Sequence, residues 1–163
     1  MKQPHRNSVE PGSDASAGEG DVTLLVVGID DAVRTVIRRM LERLGFQTLL
    51  AHCWEDAPAI VAASRAGIAG VVLDLAMPGT DAEAVFRSLR RMKPSLPVLL
   101  TGGYGEDAVT ARLTASIRTG FLAKPFGLDA LGRKAADLFG AAPGQTSQER
   151  SDGRPRLREA PAV

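Results

Sequence analysis

Two charged side chains in this sequence directly follow short apolar runs, a position at which chemistry is expected. Asp74 ends the apolar run that begins at Gly70, and Pro78-Gly79 follows closely. Lys124 comes directly after another apolar run, residues 120–123. An apolar run of this kind is typical of a strand buried on both faces of a parallel sheet, and Pro-Gly turns the chain out of the strand. Asp74 is therefore either a catalytic or binding carboxylate at the carboxyl edge of the sheet or a cap for the following loop.

Strand-like and helix-like segments alternate along most of the chain. The predicted strands are 22–27, 46–51, 69–74, 97–101 and 120–123, and the predicted helices are 31–44, 55–65, 81–92, 106–116 and 128–138. Five consecutive βα units require right-handed crossovers and a parallel sheet with helices on both faces. The sequence therefore predicts a flavodoxin-like α/β fold with strand order 2-1-3-4-5, in which the ends of the first and third strands lie side by side.

This topology would bring further polar side chains to Asp74 and Lys124. Asp30 and Asp31 follow the first strand, and Thr101 ends the fourth. Neighbouring carboxylates suit Mg²⁺, a lysine can neutralise a phosphoryl group, and a hydroxyl can hydrogen-bond a phosphoryl oxygen. The set predicts an acyl phosphate on Asp74, with Mg²⁺ and Lys124 stabilising the charge that spreads during in-line transfer.

Composition places these elements in a single domain. The chain has 163 residues, and a formal net charge of +1 gives no signal for a nucleic-acid or membrane partner. The polar stretches 1–20 and 141–163 are predicted to be disordered tails around a domain spanning 21–140. One cysteine and no apolar signal segment favour a soluble cytoplasmic protein.

Two motifs of this sequence carry a resemblance to a known family. The segment 71–81, VVLDLAMPGTD, looks like a phosphoacceptor loop, and the segment 121–126, FLAKPF, looks like the fifth-strand motif of the same family. From about Val22 to Phe139 the chain resembles the receiver domain of bacterial two-component response regulators, which has a CheY-like fold.

The resemblance implies roles for individual residues. Asp74 would accept a phosphoryl group from a sensor histidine kinase or a phosphotransfer protein, and Lys124 would contact the phosphate. It also implies a cis peptide before Pro125 and a switch role for Phe121.

The first departure from the family lies at the end of the first strand. Receivers carry two adjacent acids there, and with Arg34 fixing the register those positions hold Gly28 and Ile29. Asp30 and Asp31 come two residues later. Asp31 is interpreted as a helix-start residue, whereas Asp30 is left open between a helix-start residue and a metal ligand beside Asp74.

The second departure concerns the switch hydroxyl. The family's Ser/Thr position falls on Gly102, while Thr101 precedes it by one residue. In a regular strand the Thr101 side chain therefore faces the other way. Without a hydroxyl at position 102, phosphorylation of Asp74 would be coupled more weakly to the Phe121 side of the domain.

Three hypotheses follow for function. The first is a stand-alone receiver, without a recognisable output domain, that signals to an unknown protein target. The second is a degenerate receiver that binds a partner whatever its phosphorylation state. In this hypothesis Gly28, Ile29 and Gly102 stand where the family has its acid pair and its switch hydroxyl, so the pocket lacks these groups. The third, a small flavodoxin-like enzyme or cofactor binder, is disfavoured because no nucleophile–base pair or Gly-rich phosphate loop is visible. The neighbouring His52, Cys53 and Trp54 are too few ligands for a metal site and are interpreted as loop and packing residues.

Overall fold

The computed structural model describes residues 22–28, 30–64, 67–75, 82–103 and 108–140. The predicted disordered tails, Ile29 and the Pro78-Gly79 turn lie outside the described residues. Strands and helices alternate as the sequence pattern predicts.

The five strands form one parallel sheet in the order β2-β1-β3-β4-β5, which confirms the predicted topology. The strands are β1 (Thr23–Val27), β2 (Gln47–Ala51), β3 (Gly70–Asp74), β4 (Val98–Gly102) and β5 (Thr119–Ala123). The helices are α1 (Asp31–Arg43), α2 (Asp56–Ala63), α3 (Ala82–Met92), α4 (Ala108–Thr114) and α5 (Leu128–Phe139). The predicted boundaries differ from these by one or two residues, as is usual for helix and strand ends.

Each face of the sheet carries its own apolar core. Side chains of one face pack against α2, α3 and α4, with Leu73 of β3 and Leu100 of β4 at the centre. Side chains of the other face, among them Val72 and Leu99, pack against α1 and α5. Because successive side chains of a strand alternate between faces, the parity of a residue decides which helices it meets.

The buried stripe of α1 differs from its apolar pattern. The stripe consists of Arg34, Ile37 and Leu41, spaced by three and four residues. Val36 lies outside this stripe and is 50% exposed, although its side chain is apolar. Position on the helix, rather than residue type, therefore places an arginine inside the protein.

At the amino edge of the sheet, Arg90 of α3 holds neighbouring loops together. Its guanidinium donates to the carbonyl oxygens of Pro94 at 2.9 Å and Leu96 at 2.6 Å. It also donates to the Thr119 hydroxyl at 2.6 Å and lies 5.1 Å from the centre of the Phe86 ring. Burial lowers the pKa of Arg90. No sequence pattern predicted this role of Arg90, because its partners are mostly main-chain atoms.

The end of α5 packs into a notch that a glycine leaves in the sheet. A Cβ built at Gly70 would overlap the ring of Phe139. That ring is held on another side by an edge-to-face contact with Phe46, at 6.4 Å between ring centres. Gly70 is therefore required by close packing rather than by its backbone conformation.

We expect Gly70→Ala to lower the free energy of unfolding by about 1–3 kcal/mol, because the added methyl group must displace the Phe139 ring. Urea unfolding followed by circular dichroism measures this change. Gly103→Ala is the control, since a Cβ there meets no atom of the described residues within 4 Å. Equal stability of the two variants would contradict the packing argument.

Candidate functional site

Asp74 and Lys124 form an ion pair at the carboxyl edge of the sheet. The Lys124 Nζ donates to Asp74 Oδ2 at 2.6 Å, and the Asp74 side chain is only 7% exposed. The peptide bond between Lys124 and Pro125 is cis. Because β4 lies between β3 and β5, the lysine side chain crosses the end of β4 to reach the carboxylate. The structure thus brings the two residues together, and their roles in phosphorylation stay predictions.

The strand register places Asp74 between Gly28 and Thr101. Asp74 is the Cα partner of Thr101, and Val27 is the partner of Leu73, so that Gly28 comes beside Asp74. A Cβ at Gly28 would lie 3.6 Å from the Cβ of Asp74. Since Cα partners in a parallel sheet point to the same face, Asp74 and Thr101 both lie on the face covered by α1 and α5.

The described residues fit a divalent cation poorly. Mg²⁺ prefers one or two carboxylates together with water and phosphate oxygens. Gly28 provides no side-chain ligand, and the described part of the chain holds no group of three or more His, Cys, Asp or Glu residues arranged for a metal ion. The second acid-pair position, Ile29, lies outside that part. A metal site here would therefore depend on Asp74, whose carboxylate already accepts from Lys124.

Asp30 caps α1. Its Oδ1 accepts a hydrogen bond from the main-chain N–H of Val33 at 3.0 Å, and its backbone is extended, as is typical of an N-cap. Asp31 begins the helix, in agreement with its interpretation as a helix-start residue. The hypothesis that Asp30 binds a metal stays a prediction, and such a ligand would give up a cap worth about 1 kcal/mol.

Arg34 is buried next to the site, with only 3% of its surface exposed. Its guanidinium donates to the carbonyl oxygen of Gly28 and to Nδ1 of His52, the latter at 2.8 Å, and it pairs with Asp31. Because arginine only donates, Nδ1 of His52 is the acceptor of this hydrogen bond. Burial lowers the pKa of Arg34, while the charge of Asp30 acts in the opposite direction. Sequence reasoning used Arg34 only to set the register, although its place on the buried stripe of α1 was a signal.

Gly102 occupies the position between the site and Phe121. A Cβ at Gly102 would lie 3.4 Å from Cβ of Leu75 and 3.5 Å from the edge of the Phe121 ring. Phe121 in turn lines a groove of about 390 Å³ together with residues of α4. The position expected for a switch hydroxyl therefore does face the aromatic ring, and glycine leaves it without a side chain.

Cys53 has the environment of a packing residue rather than a reactive one. Burial, followed by the hydrogen bond to Asp56, raises the pKa of the thiol to about 11. The thiolate, which is the nucleophile and the metal-binding form, is therefore scarce at neutral pH.

We expect iodoacetamide to alkylate Cys53 in the folded protein at pH 8 more than about tenfold more slowly than in the unfolded chain, because the thiol must first lose a proton that burial retains. Intact mass measured over time gives both rates, with the same protein in guanidinium chloride as the control. Equal rates would mean that the thiol is not held in its protonated form.

The order of the strands and the carboxylate–lysine pair at their carboxyl edge define a CheY-like α/β protein. The family model for the response regulator receiver domain matches residues 24–136. The chain belongs to the response regulator receiver domain family.

The chain is similar to segments of longer proteins. The chain is 33% identical over 131 residues to the sensor kinase CckA of Brucella abortus, covering 80% of this chain and 14% of that protein. It is 37% identical over 113 residues to the response regulator MprA of Mycobacterium tuberculosis, covering 68% of this chain and 47% of that protein. The chain thus spans less than half the length of either relative.

A solved structure shares the same fold. The receiver domain of the sensor histidine kinase PA1611 from Pseudomonas aeruginosa, described with magnesium in its active-site cleft, superposes with a TM-score of 0.64 at 23% identity. The match covers 74% of this chain and 98% of that one.

None of the helices that the structure describes here is long and apolar enough to cross a membrane.

Proposed function

We propose that this receiver accepts a phosphoryl group on Asp74 from a sensor histidine kinase or a phosphotransfer protein and signals through contacts with another protein. The observation that carries the proposal is the 2.6 Å pair between Lys124 and the buried Asp74 carboxylate at the carboxyl edge of the sheet. The receiver is the acceptor of the group rather than an enzyme with its own substrate, and the cytoplasm is the compartment we propose.

The chemistry is an in-line phosphoryl transfer. A carboxylate oxygen of Asp74 forms a bond to phosphorus while the phosphorus–nitrogen bond of the donor phosphohistidine breaks, and the imidazole leaves with the electron pair. Lys124 already lies against the carboxylate, where negative charge spreads over the phosphoryl oxygens. An existing cation at this point needs little rearrangement during the reaction.

We expect acetyl phosphate with MgCl₂ to add one phosphoryl group to the wild-type chain and none to Asp74→Asn, because the amide lacks the nucleophilic oxygen. Intact-mass spectrometry measures the addition. Glu83→Gln is the matched control, since Glu83 is another partly buried carboxylate, paired with Arg87 at 2.5 Å and Arg112 at 3.2 Å. Equal labelling of wild type and Asp74→Asn would overturn the assignment of Asp74.

A second candidate function is a receiver that binds its partner independently of phosphorylation. The two glycines favour it, because Gly28 offers no ligand beside Asp74 and Gly102 offers no hydroxyl beside Phe121. An unmodified wild-type mass after acetyl phosphate treatment would favour this candidate. Magnesium is described in the receiver of PA1611, and we propose only weak binding of Mg²⁺ by this chain.

We expect Gly28→Asp to strengthen Mg²⁺ binding by about tenfold or more, because the new carboxylate would lie beside Asp74 and complete a pair of acids. Isothermal titration calorimetry with MgCl₂ measures the dissociation constant. Gly103→Asp is the control, because it adds the same charge at a position where a Cβ contacts none of the residues that the structure describes. A gain of the same size in both variants would reduce the effect to net charge.

A further inference from the structure

Thr101 is the buried polar residue of this site that the resting structure leaves unexplained. The residue is 0% exposed, and its Oγ1 has no hydrogen-bond partner among the residues that the structure describes. A buried hydroxyl without a partner destabilises the folded protein, because it has lost its hydrogen bonds to water. Valine has nearly the same shape without this cost, so a threonine here calls for an account of the hydroxyl.

The register places this hydroxyl next to the phosphoacceptor. Thr101 is the Cα partner of Asp74, and neighbouring strands lie about 4.8 Å apart. Both side chains belong to the face covered by α1 and α5, and Lys124 crosses the end of the same strand to reach Asp74. A group carried by Asp74 would therefore lie on the same face of the sheet as the Thr101 hydroxyl, one strand away.

Phosphorylation changes what this hydroxyl can bond. A phosphoryl group on Asp74 would add several strong acceptor oxygens to the residue that is paired with Thr101 across the sheet. A hydroxyl that has no partner in the resting protein and a hydrogen bond in the phosphorylated protein favours the phosphorylated protein by the free energy of that hydrogen bond. The cost of the buried hydroxyl is then confined to the resting protein.

We propose that Thr101 donates a hydrogen bond to the phosphoryl group on Asp74 and so takes over, from the opposite face of the sheet, the contact that Gly102 cannot make. This inference rests on the proposed phosphorylation of Asp74. Leu99 and Leu122, the neighbours of Thr101 on its own face, belong to the core that α1 and α5 cover, whereas Phe121 packs in the core of α2, α3 and α4. The phosphoryl group is therefore read on the α1/α5 side.

The test compares thermal unfolding of the full chain with and without acetyl phosphate and MgCl₂, at a phosphorylated fraction checked by intact mass. In the wild type, phosphorylation raises the unfolding midpoint. In Thr101→Val the resting midpoint is equal to or above that of the wild type, and the rise on phosphorylation is smaller by about 5 °C. Thr101→Ser, which keeps the hydroxyl, retains the rise.

Thr48→Val is the matched control. Thr48 is also a buried strand threonine, but its hydroxyl already donates to Glu42 at 3.0 Å, far from the carboxyl edge. This variant is expected to keep the full rise on phosphorylation. A loss of the rise in Thr48→Val as well would mean that any buried Thr→Val change has this effect, and it would overturn the inference.

Two further results would overturn the inference, and they differ from failure of the proposed function. The first is an increase of the unfolding midpoint on phosphorylation that is as large in Thr101→Val as in the wild type. The second is a midpoint of unphosphorylated Thr101→Val that lies several degrees below that of the wild type. Either result would show that the hydroxyl does not bond the phosphoryl group. In either case the proposed function stands. If no phosphoryl group is added to the wild type at all, both the proposed function and the inference fail.

Discussion

A carboxylate at the end of a buried strand is stable only with a compensating partner, and in this protein Lys124 provides a cation 2.6 Å from Asp74. The lysine comes from β5, two strands away, and its side chain spans the end of β4. The pair consequently joins the ends of β3 and β5 across β4. It also keeps a positive charge where a phosphoryl group would need one, so the same contact serves the resting fold and the proposed chemistry.

Around this pair, two positions of the site are glycines and carry no side chain. Gly28 faces Asp74 and Gly102 faces Phe121, and neither offers a ligand or a hydroxyl. The main chain is nevertheless held in place, because the buried Arg34 donates to the carbonyl oxygen of Gly28. The edge of the sheet therefore keeps the geometry of a receiver with fewer functional groups.

The two faces of the sheet give these groups different connections. Phe121 belongs to the core formed with α2, α3 and α4, whereas Thr101 lies on the face of α1 and α5. A hydroxyl at Gly102 would act on the first of these cores. The proposed contact of the Thr101 hydroxyl would act on the core formed with α1 and α5. A shift of one residue along β4 therefore changes which helices the hydroxyl is connected to.

The sequence by itself determined the strand order and the two motifs that carry Asp74 and Lys124, because buried parallel strands are continuous apolar runs and their carboxyl ends must share one edge. It also located the glycines at positions 28 and 102, since register follows from counting. Only the tertiary structure decided that Arg34 is buried, that Asp30 caps α1 and that the Thr101 hydroxyl has no partner among the described residues. The partners of Arg34 and the isolation of the Thr101 hydroxyl depend on residues distant in the chain, and the cap depends on the direction of the Asp30 side chain, which the sequence left open.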